Sequence, residues 1–277
     1  MIIGSKEVVD SQEVSQPLEG WLGEIKFNWQ SIPEFEADPE RLGHLAIICD
    51  GNRRAARERV LDPYFGHRAG VEVIKGILRA GREWNINTLT FWVWSTENWG
   101  RENEQVKFVM NLAAQYFRDE GVIKELTENE VRFTHFGRKD KLNPEIREAI
   151  EDLENQTVDF DRFRLNMAMD YGGLDETARA VGKMFADFKR GTFNPEIFKT
   201  TPQAILGFLD SADQALPDLV IRTGTKEGEI PHTSGFMPLQ TAYSGWVFLP
   251  DLFPNLTPQV LLGPIKNFLE YERRLGK

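Results

Sequence analysis

The 277-residue chain has a single cysteine, Cys49, and no apolar run that approaches the roughly 18 residues of a membrane span. One thiol excludes an intrachain disulfide and points to a reducing compartment, read here as the cytoplasm. Cys49 lies inside an apolar run, the setting of a buried and inert thiol. The first residues lack a positive patch followed by an apolar core, so no secretory leader is expected. Positive charge is also in deficit, with 33 Lys and Arg against 43 Asp and Glu and a formal net charge of -10. That balance argues against a general nucleic-acid binder, which carries a broad basic face. No G-x-x-x-x-G-K-[ST] phosphate loop is present, and no G-x-G-x-x-G follows a strand.

What is present suffices for one sizeable core, since 41% of the residues are hydrophobic. Residues 1–43 are acidic and broken by Pro17, Pro33 and Pro39. They read as an N-terminal extension that packs loosely, with at most a short helix near "WLGEIKFNW". Residues 44–277 read as one domain. Strand-like runs at "HLAIICD" (44–50), "TLTFWVWS" (88–95), "EVRFTHFG" (130–137), "FDRFRLNMAMDYGG" (160–173), "PDLVIRTG" (217–224) and "GWVFLP" (245–250) alternate with helical periods. Those helices are predicted over 66–85, 102–121, 143–156, 174–191 and from 257 on, the fourth closed by Gly191. Alternation of this kind predicts an α/β fold, a central and mostly parallel sheet flanked by crossover helices.

In such sheets ligands gather at the carboxyl ends of the strands. The polar stretches "DGNRR", "STENWGR", "DYGG" and "RTGTKEGEIPHTSG" all follow predicted strands, so one site is expected to draw on all four. Gly51 permits close backbone approach, and turn amides with Arg53 and Arg54 can cradle a phosphate. Asp50 in the same place would repel that phosphate unless a hard cation such as Mg²⁺ lay between them. Arg222, with Lys226 close behind, supplies a second positive cluster, and two diphosphates suggest a transfer reaction. The aromatic strands suggest an oily cavity behind this polar rim, although buried strands alone account for the same composition.

With "HLAIICDGNRR", "FGHRAG", "LTFWVWSTENWGR", "LNMAMDYGG", "DLVIRTG", "QTAYS" and "RRLG" in this order, the chain resembles the cis-prenyltransferases of the undecaprenyl diphosphate synthase type. The resemblance implies a homodimer with a hydrophobic tunnel. It also implies Mg²⁺-dependent condensation of isopentenyl diphosphate with an allylic prenyl diphosphate to give a cis-polyprenyl diphosphate. Membrane contact would be peripheral at most, through the lipid product. Carried over by position, Asp50 handles Mg²⁺ and the leaving diphosphate. Asn52, Arg54 and Arg101 hold the allylic diphosphate together with the turn amides at Gly51, and Arg53 and Trp99 are counted among the substrate-binding residues. Ser95 and Asn98 stand near the condensing carbons, and His67 matches the catalytic histidine of the "GH" motif. Arg222 and Ser234 contact isopentenyl diphosphate, and His232 is counted with them among the substrate-binding residues. Structural alternatives accompany these roles: Asp50 and Asn52 can shape a turn, His67 can buttress a helix, and Glu97 and Trp99 can brace their loop.

The departures from the family pattern bear on the exact activity. Arg53 stands where a glycine is usual, Ala55 replaces a tryptophan, and Pro63 replaces an arginine ahead of "FGH". Around the second diphosphate, His232 stands in place of an arginine and Gly245 in place of a glutamate associated with Mg²⁺. Lys226 could replace the lost arginine, and Glu227 or Glu229 the lost ligand. Val93, Phe133 and Phe163 occupy positions that line the tunnel in relatives, and their bulk favours a short or medium chain. Two other functions stay open: an irregular, head-to-middle prenyl coupling, and a non-catalytic homologue that binds a prenyl diphosphate.

Overall fold

The run His44–Ile48 is buried at every position, the pattern of a strand covered on both faces, and it forms β1 at the centre of the sheet. The computed structural model describes residues 11–271, so the closing "RRLG" lies outside the described residues. The other strands are β2 (Thr88–Ser95), β3 (Val131–Phe136), β4 (Phe163–Tyr171), β5 (Leu219–Arg222) and β6 (Gly245–Phe248). They lie in the order β3-β4-β2-β1-β5-β6, and every neighbouring pair is parallel. The helices are α1 (Ser11–Asn28), α2 (Asn52–Glu58), α3 (Phe65–Glu83), α4 (Asn103–Arg118), α5 (Glu120–Glu128), α6 (Pro144–Thr157), α7 (Gly173–Arg190) and α8 (Pro258–Glu270). Each predicted strand is present, and α7 ends at Gly191 in the left-handed conformation (φ +73°).

β1 pairs with β2 on one side and β5 on the other, so the loops leaving β1 and β5 diverge across the sheet. That divergence opens a crevice at the carboxyl ends of the two strands. Two strand-end loops far apart in sequence, after Ile48 and after Arg222, thereby become neighbours.

The N-terminal segment does not pack loosely. Trp21, Leu22, Ile25 and Trp29 recur at helical spacing, are buried, and join the main core. Trp29 donates its indole N–H to the Leu256 carbonyl at 3.1 Å. Its ring lies so close to α3 that a Cβ at Gly76 would stand 2.4 Å away, which explains the glycine there. Among the described residues, no helix is long and apolar enough to cross a membrane.

Candidate active site

The chain leaves β1 through Cys49–Gly51 and enters α2. Gly51 makes that turn with φ +101°, and a Cβ on it would stand 2.8 Å from Leu252. The Thr223 hydroxyl ties the turn to the loop after β5. It accepts the Asp50 N–H at 3.0 Å and donates to the Asp50 carbonyl at 2.8 Å.

The Asp50 carboxylate is 41% exposed and faces one arginine from α2 and one from the end of β5. Its Oδ1 accepts from the Gly51 N–H at 2.6 Å and lies 3.4 Å from Arg54 Nη2. Its Oδ2 accepts from Arg222 Nη2 at 3.1 Å. Arg54 also donates to the Gly224 carbonyl at 2.6 Å, and Arg222 Nη1 donates to the His232 carbonyl at 2.6 Å and Ser234 Oγ at 2.7 Å. His232 thus stands behind Arg222, its Nδ1 3.1 Å from Nη1, and does not itself line the cleft.

This turn, the exit of β2, Arg222 and Ser234 enclose a cleft of about 730 Å³. Five arginines, at 53, 54, 57, 101 and 222, line it against the two carboxylates of Asp50 and Glu97. On a chain of net charge -10 that is a local reversal of sign, and it selects a polyanion. Arg57 escaped the reading of individual residues, although a four-residue step from Arg53 on a helix puts both on one face.

Ser95 and Asn98 hold the short 3-10 helix at Thr96–Gly100. The Ser95 side chain caps its start, and Asn98 Oδ1 accepts the Ser95 N–H at 3.2 Å. Burial works against the Glu97 carboxylate, but hydrogen bonds from its own backbone, Ser95 and Thr96 outweigh it and keep its pKa below the usual range. Trp99 turns away from the cleft, donating its indole N–H to Asp170 Oδ1 at 2.6 Å. Arg101 returns to it, with its guanidinium 5.3 Å above the Trp94 ring. Burial, reinforced by Arg53, lowers the pKa of Arg101.

His67 is held neutral, its pKa lowered to about 4 by burial and by Arg101 and Arg53. Its Nε2 and Asn52 Oδ1 are buried without a hydrogen-bond partner, while Asn52 Nδ2 donates to the Cys49 carbonyl at 2.8 Å. Both residues border the cleft and a smaller apolar cavity of about 70 Å³ behind it, shared also with Cys49, Val93 and Trp94. Burial, then the neighbouring Asp50 charge, pushes the Cys49 thiol far up, as an inert thiol requires.

The cavity runs between α3 and α4, past Ile74, Val109, Ala113, Tyr116 and Phe117. Val93 is on its wall, as expected, but Phe133 and Phe163 are not. Phe133 stands one layer back, edge-on to Phe117 at 5.5 Å, and Phe163 packs under Arg162. Nor do Lys226, Glu227 and Glu229 line the cleft; Glu229 accepts the Lys226 N–H at 3.1 Å in an exposed turn. Gly245 opens β6 opposite Leu219, three residues before the level of Arg222, so a carboxylate there would stand about 10 Å back from the cleft in the same chain. Among the described residues there is no group of three or more His, Cys, Asp or Glu side chains placed to hold a metal.

Comparison with known proteins gives a consistent set of relatives. The family pattern of the undecaprenyl diphosphate synthases matches residues 48–276. A tritrans,polycis-undecaprenyl-diphosphate synthase (geranylgeranyl-diphosphate specific) of Thermococcus kodakarensis is 38% identical over 240 residues, 84% of this chain and 86% of its own length. An isoprenyl transferase of Agrobacterium fabrum is 34% identical over 246 residues, 89% of this chain and 93% of its own. Among solved structures, lavandulyl diphosphate synthase of Lavandula x intermedia in complex with dimethylallyl diphosphate superposes with a TM-score of 0.79. It is 27% identical and covers 87% of this chain and 100% of that one.

Proposed function

The chain belongs to the undecaprenyl diphosphate synthase family of cis-prenyltransferases, and from that premise we propose that it condenses isopentenyl diphosphate with an allylic prenyl diphosphate to form a cis-polyprenyl diphosphate. The observation that carries this reading is the arginine-lined cleft opening onto an apolar cavity, a polar head site joined to an oily tail site. The turn amides after β1 with Asn52, Arg53, Arg54 and Arg101 hold the allylic diphosphate. Arg222 and Ser234, on the far side of Asp50, hold isopentenyl diphosphate. The two heads lie either side of β1, which brings their tails together in front of Ser95, Asn98 and His67. Stabilisation of the departing diphosphate is then electrostatic and preorganised.

Mg²⁺ fits this arrangement. Arg54 and Arg222 contact the two oxygens of Asp50, and a diphosphate would draw these arginines to itself and free the carboxylate for the cation. One carboxylate plus substrate phosphates is a usual Mg²⁺ environment, so a cluster of protein ligands is not needed. When bound, the metal supplies charge neutralisation for the leaving group. His67 is neutral and its Nε2, without a hydrogen-bond partner where the cleft meets the apolar cavity, supports a role as a polar group beside the reacting carbons.

The tail cavity measures only about 70 Å³ and has Tyr116 and Phe117 among its lining, which supports a short product. Homodimerisation is supported by α7, where Leu174, Val181, Phe185 and Phe188 recur on one face and are 51–84% exposed. Phe185→Asp should convert the dimer to monomer in sedimentation at micromolar concentration, and a dimer that persists would place the contact elsewhere. A cytoplasmic setting accords with the unpaired Cys49.

A second reading, irregular coupling of two allylic units, draws on the lavandulyl diphosphate synthase likeness and on His232 behind Arg222. One assay separates the two. Purified protein with Mg²⁺ receives labelled isopentenyl diphosphate with dimethylallyl, geranyl or farnesyl diphosphate, and in parallel dimethylallyl diphosphate alone. A linear cis-linked product is expected in the first arm. A branched product in the second arm alone would favour irregular coupling, and no product in either, with diphosphate still bound, would favour a non-catalytic homologue.

A further inference from the structure

The Thr96–Gly100 segment carries Asn98 and sets Arg101 into the cleft, yet five residues of 3-10 helix have little stability of their own. Ser95 and Asn98 fix its first turn. Its far end is fixed by a residue of another strand, Asp170, the penultimate position of β4. Asp170 is completely buried and adopts φ +51°, a left-handed backbone that a non-glycine residue enters only at a conformational cost. Such a residue persists where its surroundings over-determine it. Here Oδ1 accepts from Trp99 Nε1 at 2.6 Å and from Arg138 Nη2 at 2.7 Å, and Oδ2 accepts from Arg138 Nε at 3.0 Å.

The contact continues into the site. Trp99 stands edge-on to Trp94 at 5.9 Å, and the Arg101 guanidinium lies 5.3 Å above that same Trp94 ring. We propose that Asp170 is a positioning residue for allylic diphosphate binding, acting through Trp99 and Trp94 to hold Asn98 and Arg101 in place. Asp170 does not line the cleft, so its effect is indirect. Arg138 grips both carboxylate oxygens and so orients Oδ1 as the acceptor of the indole N–H. This inference rests on the reading of the cleft as a prenyl diphosphate site.

Three variants test it: Trp99→Phe, which keeps a ring but loses the N–H; Asp170→Ala; and Asp170→Asn, which keeps an oxygen opposite the indole. Dimethylallyl and isopentenyl diphosphate binding would be measured by calorimetry, with urea midpoints as a check on folding. Trp99→Phe should weaken dimethylallyl diphosphate at least about tenfold, the scale of one lost hydrogen bond to a charged group, with a urea midpoint that falls modestly and leaves the variant fully folded without denaturant. Affinity for isopentenyl diphosphate, held across Asp50 by Arg222 and Ser234, should stay within about twofold. Asp170→Asn should recover part of what Asp170→Ala loses. Unchanged dimethylallyl diphosphate affinity in Trp99→Phe, equal losses for both ligands, or no recovery in Asp170→Asn would each overturn the proposal. An unmodified protein that binds neither diphosphate would overturn the functional reading, and this inference with it.

Discussion

Asp50 has its two oxygens engaged by arginines from different elements, Arg54 of α2 and Arg222 of β5, and this explains why one carboxylate tolerates so basic a cleft. Replacing it with Ala removes the cation's anchor while leaving Arg54 tied to the Gly224 carbonyl and Arg222 to Ser234. Asp50→Ala is therefore expected to lower turnover at least about 10²-fold, as loss of a preorganised electrostatic group does, with the thermal midpoint nearly unmoved because the side chain is 41% exposed. Steady-state kinetics and a melting curve check both halves; full activity would remove Asp50 from the mechanism. At this scale the residues on strand-end turns were legible in the sequence, because a lone Asp before Gly-Asn and clustered arginines has few structural uses. Asp170, Tyr116 and Phe117 were not. A buried Asp in "MDYGG" looks like part of a strand's exit, and its partners Trp99 and Arg138 lie 71 and 32 residues away in the chain.

Among the elements, α4 forms one wall of the tail cavity, and its Tyr116 and Phe117 follow the same apolar period that buries any core helix. Periodicity reports that a face is covered but not whether side chains or a ligand cover it, so the cavity wall could not be told from packing. Phe133 was placed on that wall by its position in β3, yet Phe117 stands between it and the space. Phe117→Ala should thus lengthen the product by one or more isoprene units and cost roughly 3–5 kcal/mol of stability. Chromatography of the reaction products decides; an unchanged length in a folded variant would put the stop elsewhere. The order of strands and helices was legible because β and α periods alternate cleanly. The docking of α1 was not, since Pro17, Pro33 and Pro39 suggested a broken extension where Trp21, Ile25 and Trp29 in fact complete the core.

Across the whole molecule, the sheet buries histidines at positions with no part in the chemistry. His44 is enclosed between β1's neighbours, with Nδ1 2.8 Å from the Ala215 carbonyl and Nε2 2.7 Å from Thr90 Oγ1, and its pKa is lowered to about 4, chiefly by burial. His135 on β3 is likewise lowered to about 4 by burial and by Lys139, its Nε2 2.8 Å from the Met169 carbonyl. An unfolded chain protonates these imidazoles near 6.5, so between pH 6.5 and about 4 it binds more protons than the folded chain. Stability contributed by each neutral histidine is therefore intact above pH 6.5 and is lost as the pH falls toward 4, on the order of 3 kcal/mol per histidine at full extent. Glu176 acts in the opposite sense. Its pKa is raised by burial, so it favours the folded state as the pH falls. A comparison that cancels Glu176 is needed, and His135→Gln supplies it. Urea midpoints measured from pH 7.5 to 4.5 should fall less steeply in His135→Gln than in the unmodified protein. Parallel slopes would mean that His135 carries its proton inside the fold, against the low polarity of its surroundings.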